Sequence, residues 1–79
     1  MSGQWRMELN NYLQRNGCVN GLDMRVNPDG PPHRPTWTAV AFFNGVKYAQ
    51  ASMYSQQEAL DEAARLTLEL MYRQRGGRV

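Results

Sequence analysis

Apolar and polar positions recur with two different periods along this chain of 79 residues. Trp5, Leu9, Tyr12 and Leu13 fall at helical spacing, which predicts an amphipathic helix from Trp5 to about Arg15. Asn16-Gly17 is its stop, because glycine readily takes the left-handed conformation that ends helices. In "LDMRVN", residues 22–27, the period falls to two, with Leu22, Met24 and Val26 set against Asp23, Arg25 and Asn27, the pattern of a strand. "PDGPPHRP", residues 28–35, holds four prolines and one glycine, which forbid regular structure and build a stiff loop. "TWTAVAFF" (36–43) and "VKYAQASM" (46–53) flank Asn44-Gly45, a pair suited to a two-residue type I′ turn, and predict a hairpin. Ser55 then reads as an N-cap, and Glu58 three residues on completes a capping box. The last helix runs to about Tyr72, with Gly76-Gly77 beyond it. The order is α-β-β-β-α: an α+β domain with a three-stranded antiparallel sheet and both helices on one face.

Length and composition narrow the class. A chain this short holds one domain with a two-layer core and little room for an enclosed active site. An apolar content of 42% is that of a globular domain. A lone cysteine, Cys18, excludes an intramolecular disulfide and suits a reducing compartment. "MSGQWRMEL" lacks the apolar core of a secretory signal, and no apolar run approaches the ~20 residues of a membrane span. The expectation is an intracellular protein, cytoplasmic or nuclear, with no membrane association. His33 is the single histidine, so no His-His or His-Cys metal set forms, and Cys18 has no evident base partner. Neither catalysis nor a cofactor is expected.

Charge changes the picture through its distribution. Residues 55–72 carry Arg65 against Glu58, Asp61, Glu62 and Glu69, while residues 73–79 carry Arg73, Arg75 and Arg78. The net charge of +2 therefore comes largely from the C-terminal stretch. Residues 1–74 read as the domain and residues 75–79 as a basic flexible tail.

Four segments carry a resemblance. "LNNYLQRNG", "GPPHRPTW" with its Gly-Pro-x-His-x-Pro-x-aromatic pattern, "NGVKY" and "EAARLTLELM" are similar, in that order, to parts of the double-stranded RNA-binding domain. The resemblance spans nearly the whole chain. It implies a module that reads A-form RNA by shape, with helix 1 and the proline loop in successive minor grooves and the start of the last helix over the phosphates between them. The family's Lys-Lys-x-Ala-Lys run falls on Gln56, Gln57 and Leu60, which makes this a divergent member. Its helix 1 amide and glutamate fall on Asn10 and Asn11, and its loop histidine on His33. The implied RNA-binding residues are Asn10, Asn11, Gln14, Pro31, Pro32, His33, Gln56 and Gln57.

Each of these residues also has a plainer use. Asn10 and Asn11 suit either ribose hydroxyls or a solvated face. His33 either reads a minor groove or braces the turn beside Pro32. Glu58, Asp61 and Glu62 are expected to satisfy the first amides of the last helix and to repel phosphate. The resemblance places Trp37, Ala39, Ala41 and Phe43 on the core side, with Ala49, Ala51 and Met53. Val40, Phe42 and Tyr48 then share the outer face, which suits a protein interface as well as ordinary exposure. Leu60 either meets a partner or folds back onto Met53 or Tyr54. Two functions follow: a non-catalytic module that binds duplex RNA weakly, or a degenerate one that acts through protein interaction or homodimerisation at Val40, Phe42, Tyr48, Leu60 or the edge of the third strand.

Overall fold

The computed structural model describes residues 3–17 and 19–76; Met1, Ser2, Cys18 and residues 77–79, the last three of the expected tail, lie outside it. Helix α1 spans Gln4–Arg15, and a single 3-10 turn at Val19–Gly21 leads into β1 (Leu22–Asp29). Strands β2 (Thr36–Phe43) and β3 (Val46–Met53) form the hairpin, and helix α2 spans Gln56–Gly76. The sheet order is β1-β2-β3, antiparallel throughout. The expected α-β-β-β-α order holds, with both helices against one face of the sheet.

The turn chemistry explains the hairpin. Asn44 and Gly45 have φ of 53° and 82°, the two positive values that a type I′ turn demands. The Asn44 amide also donates to the Gly21 carbonyl at 2.9 Å, tying the turn to the segment that opens β1. β1 extends two residues past the expected stretch, through Pro28 and Asp29, which pair with Trp37 and Thr36. An edge strand tolerates a proline because one of its rows of hydrogen-bonding groups has no neighbour to serve. Helix α2 likewise continues past Tyr72 to Gly76.

Small side chains let α2 lie close on the sheet. Ala39 of β2, Ala51 of β3 and Ala59 and Ala63 of α2 form one buried cluster, edged by Met24, Val26, Trp37, Met53, Leu60 and Leu66. A second cluster joins the helices: Leu9, Tyr12 and Leu13 of α1 meet Ala64, Leu68 and Met71 of α2. Thr67, fully buried, donates its hydroxyl to the Ala63 carbonyl at 2.7 Å, so the one buried polar side chain among the described residues is satisfied. Leu60 belongs to the first cluster, so it folds inward beside Met53 and is no free apolar side chain over a phosphate.

One placement differs from the alternating pattern. Ala41 pairs with Ala49, but Phe42 pairs with Lys47, so a bulge leaves Tyr48 as an extra residue in β3. Tyr48 is thereby turned to the helix side beside Ala49, where its ring meets Phe43 edge-on at 5.8 Å. The outer face keeps Val40 and Phe42, both half-buried, and the Arg25 guanidinium lies 5.1 Å from the centre of the Phe42 ring. The three-residue apolar patch expected there is reduced to two residues, one of them screened by a cation.

The alanine interface has no spare volume. Ala63→Leu is expected to destabilise the domain by about 1–3 kcal/mol through overpacking, read as a lower urea midpoint at unchanged slope.

Candidate nucleic-acid interface

Helix α1 begins without a cap of its own. Gly3 precedes it with φ of 87° and no side chain to offer the first amides. The missing acceptor comes from α2: Asp61 Oδ1 accepts from the Trp5 amide at 2.8 Å and the Arg6 amide at 3.1 Å. A carboxylate at a helix start meets both the open N–H groups and the positive end of the helix dipole. The bond fixes the start of α1 against the second turn of α2, and Tyr12 meets Tyr72 edge-on at 5.1 Å further along. The two helices therefore run in the same direction.

This arrangement exposes one polar stripe of α1. Asn10, Asn11 and Gln14 all face solvent, and Met7, 61% exposed, heads the same stripe. The helical spacing of 3 and 4 residues keeps them on one side. Leu9 and Leu13 on the opposite side are buried.

The proline loop projects from one end of the sheet. Residues 30–35 are all exposed, His33, Pro31 and Pro32 among them. Asp29 closes the loop at its base: its Oδ1 accepts from the Gly30 amide at 2.8 Å, its carbonyl from the Thr36 hydroxyl at 3.0 Å, and its Oδ2 from the Thr38 hydroxyl at 3.2 Å. Gly30 has φ of 84°, and a Cβ there would sit 2.9 Å from Thr36 Oγ1, so only glycine makes this entry comfortably. Inside the loop the Arg34 amide donates to the Pro31 carbonyl at 3.0 Å, a turn that sets His33 at the tip. Because Trp37 pairs with Met53, the loop and the start of α2 share one end of the domain.

At that end the electrostatics differ from the sequence expectation. The Ser55 hydroxyl accepts from the Glu58 amide at 3.1 Å, a true N-cap, while among the described residues no bond returns from the Glu58 carboxylate. Asp61 serves α1 and does not satisfy the amides of its own helix. Glu62 is held by Arg65, with Nη2 2.7 Å from Oε2 and Nε 3.1 Å from Oε1; these bonds keep its carboxyl below the usual range and raise the Arg65 guanidinium. Of the three carboxylates, only Glu58 stands free at the surface. The backbone amides of Gln56 and Gln57 remain open, and both side chains are exposed.

Residues 5–71 match the family described as the double-stranded RNA binding motif. The chain belongs to that family. It is a double-stranded RNA-binding domain, and duplex RNA is the partner that this membership supports.

Within the domain, two cations escaped the sequence reading. Arg15 ends α1 near Gln14, and Arg34 follows His33 in the loop; both are exposed, and neither has a carboxylate partner among the described residues. The resemblance directs attention to the lost lysines, and nothing in the spacing singles out these two arginines. Asp61 escaped for a different reason: its acceptors' partners lie more than fifty positions away. No described helix is long and apolar enough to cross a membrane.

Asp61→Ala is expected to lower stability by about 1–2 kcal/mol, as loss of an N-cap does. The corresponding fall of roughly 4–15 °C in Tm is readable by circular dichroism. Asp61→Asn, which keeps an acceptor without the charge, is expected to recover part of it.

Proposed function

We propose that this domain acts without catalysis, binding duplex RNA with modest strength through three surfaces. The α1 stripe of Asn10, Asn11 and Gln14 meets ribose hydroxyls in one minor groove. The loop tip of Pro31, Pro32 and His33 meets the next, with Arg34 beside a phosphate. Between them the open amides and side chains of Gln56 and Gln57 bond phosphate oxygens across the intervening groove. The observation that carries this reading is the state of the α2 start. Two of its three carboxylates are engaged, one by the amides of α1 and one by Arg65, so fewer free carboxylates face RNA than a row of three unpaired acids would present. Neutral amides supply little of the salt-dependent attraction that lysines supply, and this is why the affinity is modest.

Titration of a duplex RNA of about 20 base pairs against salt is the test. Counting Arg15, Arg34 and one further contact, the slope of log K against log salt is expected near −2 to −3, taking ~0.7–0.9 per phosphate. His33→Ala is expected to cost about 1 kcal/mol, or roughly fivefold, the worth of one hydrogen bond. Gln56→Lys with Gln57→Lys should steepen the slope by up to about two. Absence of duplex binding at low salt would sink the proposal.

A second reading, association through protein, draws on a different feature. The outer edge of β3 is unpaired, and beside it Tyr48, Ala49, Leu66 and Leu70 line a shallow groove with Glu69 and Arg73 at its rim. Of the expected interface sites, this supports the edge of the third strand over the outer sheet face. On this reading the sedimentation mass exceeds the 9.1 kDa monomer and returns to it in Leu70→Glu.

A further inference from the structure

Arg6 is the one described residue with a buried, unpartnered side-chain nitrogen. Its Nε is covered by protein and makes no hydrogen bond. Its backbone amide is held by Asp61, and among the described residues its guanidinium has no carboxylate partner. Covering Nε without bonding it costs free energy, so the exposed end of the guanidinium needs an acceptor for this placement to be worthwhile. A guanidinium is always charged and its remaining N–H groups suit a phosphate.

The direction of the side chain says where that acceptor would lie. Arg6 Nη2 comes within 3.8 Å of where a Cβ on Gly3 would stand, so the side chain folds back along α1 toward its start. On α2, Asp61, Ala64, Leu68 and Met71 form the stripe that meets α1. Gln57 is the next position of that stripe toward the start of α2, one turn or about 6 Å before Asp61. Since the helices run in the same direction, folding back past the start of α1 carries the Arg6 charge toward Gln57 and its open amide.

We infer that Arg6 is a phosphate-binding residue of this domain, a cation delivered by α1 to the stretch of backbone that Gln56 and Gln57 face. The inference rests on the RNA-binding reading above and deepens it. Asp61 acts as the positioning residue, because its two bonds set where the Arg6 backbone lies.

Arg6→Gln keeps the length and polarity of the side chain but removes the charge. In the duplex RNA salt titration it is expected to make the slope shallower by about one and to weaken binding several-fold at low salt. Arg6→Lys should restore the slope, which a purely structural role for the guanidinium would not predict. Lys47→Gln, on the outer sheet face, should leave the slope unchanged. Thermal melting of Arg6→Gln should stay close to that of the parent, which separates loss of contact from loss of fold. If the parent binds duplex RNA and Arg6→Gln shows the parent's slope, this inference fails while the RNA-binding reading stands. If the parent binds no duplex RNA, both fail together.

Discussion

A single carboxylate holds the two halves of this domain in register. Asp61 takes the place of the N-cap that Gly3 cannot provide, and by doing so it sets the start of α1 against the second turn of α2. The exposed stripe of α1 and the start of α2 are then parts of one surface. A cap borrowed from a neighbouring helix differs from a local one, because it forms only when the packing is right. The bond therefore couples the order of α1 to the seating of α2 on the sheet, which the alanine cluster governs.

The same carboxylate reshapes the electrostatics of the nucleic-acid face. An aspartate on the second turn would ordinarily add negative potential near Gln56 and Gln57. Bonded to two amides of α1, it keeps its charge but sets it against the positive end of that helix. Glu62 is compensated in a different way, by the guanidinium one turn further along the same helix, although such an exposed pair adds little to stability. A surface that reads as three free acids in the sequence thus presents one unengaged carboxylate, Glu58, with Glu62 paired to Arg65 and Asp61 bonded to α1.

Much of the fold was legible from local signals. The boundaries of β2 and β3 follow from alternation and from Asn44-Gly45, whose conformational demand leaves one turn type. Pro28 reads as loop because proline usually ends strands, yet in an edge strand its missing donor is tolerated. Tyr48 was placed on the outer face because alternation counts every residue, and a bulge adds one that the count cannot register. Leu60 was ambiguous for want of any neighbour to judge it by; the close approach of α2 to Met53 supplied one. At the candidate site, Asn10, Asn11, Gln14, Pro31, Pro32, His33, Gln56 and Gln57 are all exposed, as a binding role needs. The roles of Asp61, Arg15 and Arg34 depend on which distant residues the fold brings near, and no periodicity carries that information.

The two rims of the sheet are not equivalent. β1 contains Pro28, which deprives that side of one backbone donor, whereas β3 has an amide at every position. That end of β1 is therefore the poorer template for an added strand. One imino acid thus makes the two borders of the sheet unequal templates for edge-to-edge association.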